Sequence, residues 1–321
     1  MNKNMVVSVN PHIYAAQTTQ TIMRDVLIAL FPAVIASIVF FGIKALLVEV
    51  VCVAVAVLCE WAFEKITGRP VTILDCSAAV TGLILALNLP VSIPLWQAVF
   101  GSFVAIVVVK QLFGGIGQNF ANPAITARVI MLVAFSGAMT TWAPAAFSNA
   151  PVDAATAATP LAILSGAEGE LPTLLQMFLG ARGGSLGETS CLALLLGFAY
   201  LLYRQVITWH TPVAFIGTVL VCTALLGKQP LYQVMAGGLF LGAIFMATDY
   251  TTSPLTTKGR IVYAVGCGLI TCLIRLFGSM TEGVSFSIIL MNLVVPYLDK
   301  LFPSKPFGGK PKEKREKGAA A

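Results

Sequence analysis

Charge is what this sequence has least of. Only 11% of its 321 residues are Asp, Glu, Lys or Arg, against about 25% in an ordinary soluble domain. With 57% apolar residues and a mean hydropathy of +0.87, a water-soluble globule is excluded. Histidine is nearly missing: His12 and His210 cannot build a His-rich metal site, and neither has a Ser or Cys partner by sequence for nucleophilic catalysis. No paired carboxylates sit in a soluble domain, which disfavours hydrolase chemistry. The seven cysteines (52, 59, 76, 191, 222, 267 and 272) lie in or beside apolar runs and contain no Cys-x-x-Cys. Neither a disulfide framework nor an iron–sulfur or zinc site is indicated. Residues 1–24 are polar and lack a cleavable signal pattern, so the N-terminus is expected to stay with the mature protein. The net charge of +6 does not point to nucleic acid, because seven of the twenty basic residues lie at or beyond Lys300. They read as a juxtamembrane basic tail against anionic lipid.

What is present is hydrophobic length. Apolar runs occur at roughly 26–42, 45–63, 74–90, 94–112 and 123–138, then at 186–203, 211–227, 231–248, 261–278 and 283–301. A spanning helix needs about 20 such residues, and the runs are continuous rather than alternating, which excludes a β-barrel. The fold class expected is an all-α polytopic membrane protein with about ten transmembrane helices. The run at 74–90 is short and carries polar positions, so it is expected to be re-entrant or broken.

Lys and Arg placement sets the orientation. With the N-terminus inside, Lys3, Arg24, Lys65, Arg69, Lys110, Arg128, Arg204, Lys258, Arg260 and the tail are cytoplasmic. Lys44, Arg182, Lys228 and Arg275 then fall outside. This divides the chain into a cytoplasmic lead (1–24), a first membrane half (25–138), an external loop (139–185), a second membrane half (186–302) and a basic, disordered cytoplasmic tail (303–321). A faint internal similarity links Pro123-Ala-Ile-Thr126-Ala-Arg128 with Pro254-Leu-Thr-Thr257-Lys-Gly-Arg260, each preceded by polar residues. Duplicated helical halves often place such breaks around a central site.

Several places could carry chemistry. The insertion Gly114-Gly-Ile-Gly-Gln-Asn119 to Pro123 puts two amides, Asn119 and Asn122, into an apolar setting. They could grip a ligand's ring edge or simply cap a tight helix–loop turn. Glu49, Glu60, Asp75, Glu188, Asp249 and Arg275 lie at or near membrane depth, where a charge is expensive and therefore a functional candidate. Asp75 and Glu188 read better as helix starts, and Glu49 as truly embedded. The loop Asp153-Ala-Ala-Thr156-Ala-Ala-Thr159-Pro160 combines an acid, two hydroxyls and a stiffening proline. Pro160 biases Thr159 to an extended backbone, and alanine neighbours leave its hydroxyl unobstructed. By composition alone it is an ordinary linker.

The pattern at 153–159 resembles the flavinylation motif Asp-x-x-(Ser/Thr)-Gly-Ala-Thr of the NqrB/RnfD family, with Ala157 where glycine is frequent. Asn10-Pro11-His12, Ile22 to Pro32, Gly114 to Ala124, Gly187-Glu-Thr-Ser190 and Thr248-Asp-Tyr-Thr-Thr-Ser-Pro254 are further matches. Length and span count are closer to the D subunits of Rnf complexes than to the longer B subunits of the sodium-pumping quinone reductase. The resemblance implies two related halves in a urea-transporter-like bundle. It implies FMN joined by phosphoester to Thr159, with Asp153 and Thr156 as motif partners, and a second, noncovalent flavin (riboflavin-like) in the bundle. The polar breaks at 118–122 and 249–253, with Asn119, Asn122 and Asp249, are expected to line that second flavin or the ion path. Implied partners are other Rnf subunits: membrane subunits, a second FMN-bearing subunit, and subunits with iron–sulfur and NAD sites. A flavin transferase is implied for maturation, and the bacterial inner membrane as the location. Such a complex would pass electrons between ferredoxin and NAD, coupled to Na+ or H+ movement. The alternatives are a non-redox channel or carrier for a small polar solute, and an assembly scaffold.

Overall fold

The computed structural model describes residues 17–146, 158–278 and 282–303. Most of the polar lead, with Asn10-Pro11-His12, and nearly all of the basic tail lie outside the described residues. Among the described residues every regular element is a helix, as a lipid environment requires of a backbone that must satisfy its own hydrogen bonds. α1 (Thr19–Phe41) starts at a reciprocal cap: Thr18 Oγ1 accepts from Thr21 N, and Thr21 Oγ1 accepts from Thr18 N. α2 (Ile43–Ile66) returns alongside it. A 3-10 turn (Ile73–Asp75) then leads into α3 (Ser77–Leu87). Asp75 Oδ1 accepts from Ser77 N at 2.8 Å and from Ser77 Oγ at 2.6 Å, the helix-start role expected of it. α3 has eleven residues, about 17 Å of rise against a hydrocarbon core of about 30 Å. The third run is therefore a partial span, and it is buried on nearly every side.

α4 (Leu95–Gln111) is apolar throughout, but its second half, Val104–Gln111, winds as a π-helix. The wider turn re-aims side chains and brings Lys110 and Gln111 inward, both buried. This corrects the expectation that Lys110 lies at the cytoplasmic surface. α5 (Pro123–Ala134) begins with Asn122 as its cap and Pro123 in its first turn, and is followed by α6 (Ser136–Met139). α7 (Pro160–Leu164) and α8 (Leu174–Leu179) are short pieces between the halves. The second half contains α9 (Cys191–Tyr203), α10 (His210–Leu225), α11 (Pro230–Met235), α12 (Leu239–Leu241), α13 (Thr257–Phe277) and α14 (Val284–Leu301). The run expected at 231–248 is broken: a link at Ala236–Gly238 separates α11 from α12, which continues as a π-turn, Gly242–Met246. Each half thus has its third run interrupted.

The halves interlock. α1 lies on α9, α14 on α5, and α2 gathers α3 and α4, while α10, α13 and α14 pack in sequence. Asp25 of α1 accepts from Tyr200 (2.9 Å) and Arg204 (3.1 Å) at the end of α9. Leu30, Leu85, Leu87, Ile125, Met131, Phe215 and Tyr263 are among the largest fully buried side chains. Phe31, Ile35, Val50, Leu58, Val221 and Leu273 remain exposed and face where lipid would be. Among the described residues four helices, α1, α2, α13 and α14, are long and apolar enough to cross a bilayer. The other runs expected to span are shorter or broken because polar residues and glycines interrupt them.

Gly197 is where α9 crosses α1: a Cβ there would sit 2.2 Å from the Ala29 carbonyl oxygen and 2.9 Å from the Phe245 ring. Since backbone cannot retreat as a side chain can, Gly197→Leu is expected to destabilise the fold by at least about 1–3 kcal/mol. A thermal unfolding series on the detergent-solubilised complex checks this, and an unchanged transition would contradict the close crossing.

Candidate functional site

Two polar places stand out in an otherwise apolar bundle. The first is a cavity of about 90 Å³ between the halves. Its polar lining comes from Ser77 at the start of α3, Lys110 on the π-helix, Asn119 and Asn122 before α5, and Asp249 and Thr251 after the π-turn; Ile84, Ile244 and Phe245 are among its apolar walls. Asn122 is held twice over. Its Oδ1 accepts from Ala124 N and Ile125 N at 3.1 and 3.3 Å, capping α5, and its Nδ2 donates to Asp249 Oδ2 at 3.4 Å. Asp249 in turn accepts from Thr251 N and Thr251 Oγ1 at 3.1 and 3.0 Å and from Thr252 Oγ1 at 3.2 Å. The amide cap and the ring-edge grip weighed for Asn122 are thus served by different atoms of one side chain. Asn119 Oδ1, in the same lining, is buried and makes no hydrogen bond among the described residues.

Behind this cavity lies a charged pair. Lys110 Nζ donates to Glu60 Oε1 at 2.5 Å and to Ser77 Oγ at 2.6 Å, and Gln111 Nε2 donates to the same Glu60 oxygen at 2.8 Å. Glu49 is embedded as expected, accepting from Ser37 Oγ at 2.5 Å.

The second place surrounds Thr159. The residue has φ −72° and ψ 152°, the extended backbone expected before Pro160. Its Oγ1 is drawn toward the backbone, where it caps α7 by accepting from Ala162 N at 3.3 Å. Capping uses an oxygen lone pair, and among the described residues the hydroxyl proton has no acceptor. Asp153 and Thr156 lie outside the described residues. Thr159, Arg182, Glu188, Thr189, Gly237 and Glu282 line one small cavity.

A buried charge network also lies here. Arg128, six residues into the fifth run, is buried and paired with Glu188 Oε1 at 3.0 Å and with Glu282. Its Nη1 donates to Asn88 Oδ1 and Ser285 Oγ, both at 3.0 Å. Three expectations are corrected. Arg128 is not a cytoplasmic surface residue, and Glu188 is not a helix cap: Ser190 caps α9 by accepting from Ala193 N, while the Glu188 carboxylate turns to Arg128. Arg182, expected on an exposed loop, is buried and donates to the Glu188 and Thr189 carbonyls. Sequence reasoning missed Lys110, Arg128, Arg182 and Glu282 as site residues. The signal available was the presence of Lys110 and Arg128 inside apolar runs, where a charge needs a partner.

Arg128→Met leaves two carboxylates facing each other without their cation, and is expected to destabilise the bundle by about 3–5 kcal/mol. Adding Glu188→Gln should recover part of that loss. Yield and thermal midpoint of the single and double variants check it, and full stability in Arg128→Met would contradict the pairing.

Known proteins resemble this chain along nearly its whole length. The model of the NQR2, RnfD, RnfE family matches residues 6–308. The chain is 45% identical over 308 residues to the D subunit of the Na(+)-translocating ferredoxin:NAD(+) oxidoreductase complex of Acetobacterium woodii, covering 95% of this chain and 96% of that one. It is 43% identical over 327 residues to the D subunit of the proton-translocating ferredoxin:NAD(+) oxidoreductase complex of Clostridium ljungdahlii, covering 96% and 98%. To the D subunit of the ion-translocating oxidoreductase complex of Stutzerimonas stutzeri it is 41% identical, covering 90% and 93%.

Proposed function

The chain belongs to the NQR2, RnfD, RnfE family, and on that premise we propose that it is the membrane flavoprotein subunit of an Rnf-type ion-translocating ferredoxin:NAD oxidoreductase complex. Its relatives along nearly their whole length are named as D subunits of such complexes, and it acts within the assembly rather than alone. FMN is carried in phosphoester linkage on Thr159, and a second, noncovalent flavin of riboflavin type occupies the cavity between the halves. The observation that carries this reading is the Thr159 hydroxyl, extended before Pro160, held at the rim of a polar cavity and, among the described residues, with no acceptor for its proton. When bound, a flavin supplies one- and two-electron transfer.

The chain's own residues fit that cofactor at both places. In the larger cavity the unpartnered Asn119 Oδ1 suits a ring N–H, and Asn122 is fixed by Asp249 so that its amide keeps one orientation. The apolar walls exclude water from the ring. An external Thr159 lies across a hydrocarbon core of about 30 Å from electrons supplied at the cytoplasmic face; one redox group there could not receive them alone, hence the second flavin. With Lys110 and Arg128 removed from the charge comparison, Lys3, Arg24, Lys65, Arg69, Arg204, Lys258, Arg260 and the tail still favour cytoplasmic termini and an external Thr159. The partners follow: membrane subunits, a second FMN-bearing subunit, subunits holding iron–sulfur and NAD sites, and a flavin transferase, in the bacterial inner membrane. The coupling ion is Na+ or H+; the names of the relatives include one of each.

On a denaturing gel of cells that also make the flavin transferase, a fluorescent band at this chain's mass is expected. It should vanish in Thr159→Ala and persist in Thr156→Ala; absence of a band from the unaltered chain sinks the covalent assignment. Separately, Asn122→Leu and Asp249→Leu should lower noncovalent flavin and electron-coupled ion uptake while sparing the gel band. Unchanged flavin content and uptake in both variants would remove the larger cavity from the reading.

A further inference from the structure

The two polar breaks that meet at the cavity between the halves, one before α5 and one after the π-turn, are joined by little of their own. Among the described residues no backbone hydrogen bond runs between them, and the Asn122–Asp249 contact, at 3.4 Å, is long for an N–H···O bond. A second tie lies behind it. Asn292, in the middle of α14 and 2% exposed, is not part of the cavity lining. Its amide oxygen accepts from Asn122 N at 3.2 Å, and its amide nitrogen donates to Thr252 O at 3.1 Å. The opposite setting of the amide would turn acceptor on acceptor and donor on donor, so these partners fix it. The Tyr263 hydroxyl of α13, fully buried, lies 2.7 Å from the same amide. Neither Asn122 N nor Thr252 O has another hydrogen bond among the described residues, and at membrane depth no water replaces a lost partner.

We propose that Asn292 is a positioning residue of this cavity: from behind, it holds the two breaks in register, so that Asn122 and Asp249 present one fixed polar face to the bound ligand. This inference rests on the noncovalent flavin proposed above. α14 is the element suited to the task, because it packs on α5, on the π-turn Gly242–Met246 and on α13. One amide with a donor and an acceptor can then bridge a backbone N–H of one half and a backbone carbonyl of the other. The segment it holds shapes more than the Asp249 carboxylate. Thr251, next to Thr252, lines both this cavity and an adjoining open cleft of about 520 Å³, and Ile116 and Tyr250 are likewise common to the two. A shift of residues 249–253 would therefore change the space open to the ligand as well as its polar contacts. Binding sites keep their geometry through supporting hydrogen bonds of this kind, made by side chains that never touch the ligand.

The test is equilibrium dialysis of the intact purified complex against labelled riboflavin, with the thermal midpoint read on the same samples. Wild type, Asn292→Leu, Asp249→Leu, the double variant and Ser287→Ala are compared. Ser287 is the control for the helix pair: it is equally buried on α14 and bonded to Thr271 at 2.8 Å, with no contact to either break. In Asn292→Leu the riboflavin Kd is expected to rise about fivefold to tenfold, the size of one lost hydrogen bond, while Ser287→Ala keeps the wild-type Kd whatever its midpoint. Asn292 acts through the Asn122–Asp249 contact, so the double variant should bind no more weakly than the weaker single variant. If Asn292→Leu does not assemble, Asn292→Ser, which only shortens the side chain, carries the same measurement. A wild-type Kd in the assembled Asn292 variant, or effects of the two substitutions that multiply, would show a structural residue and overturn the positioning role while leaving the noncovalent flavin standing. Failure of the wild-type complex to bind riboflavin would instead overturn the reading it rests on, and this inference with it.

Discussion

A buried guanidinium ties together segments from both halves of this protein. Arg128 on α5 reaches Glu188, which precedes α9, Glu282, which precedes α14, and Asn88, which follows α3. Four segments from both sides of the central loop converge on one cation. In a hydrocarbon environment such a group has no water to fall back on, so every donor must be met by protein. That constraint sets much else. Asn88, just past the end of α3, and Glu188, just before α9, both turn their side chains to the guanidinium.

The same physics explains why the candidate site residues lie at broken helices. A continuous helix satisfies its own backbone and has nothing left to offer a ligand. The polar insertions before α5 and after the π-turn at Gly242–Met246 expose side-chain amides, a carboxylate and hydroxyls, which meet each other at the Asn122–Asp249 contact. The π-helix that carries Lys110 inward serves a similar end, placing an ammonium group beside Glu60 and the cavity. Two clusters of buried polar groups result, one between the halves and one beneath Thr159.

Much of this was legible in the chain. The helical class followed from continuous apolar runs and scarce charge, and the weakness of the third run from its polar start at Asp75-Cys-Ser. Pro160 announced the extended backbone at Thr159, and Asn122-Pro123 announced a helix start. Lys110, Arg128 and Arg182 were not legible in the same way. Counting charges at the ends of runs treats them as surface residues, yet a π-turn and two distant carboxylates bring them inside. Glu188 was misread for a related reason: an acid near a helix start looks like a cap, when its real partner is Arg128, in the other half of the chain.

What the sequence determined by itself was the solvent, the secondary structure and the hydroxyl at position 159, because hydropathy, periodicity and proline chemistry act between neighbours along the chain. What only the tertiary structure decided was which charges are buried, which are paired and which are left without a counter-ion. Those depend on contacts such as Arg128 with Glu282 and Asn122 with Asp249, between residues far apart in the chain. No local rule reaches that far, since a buried charge is defined by the partner that folding brings to it.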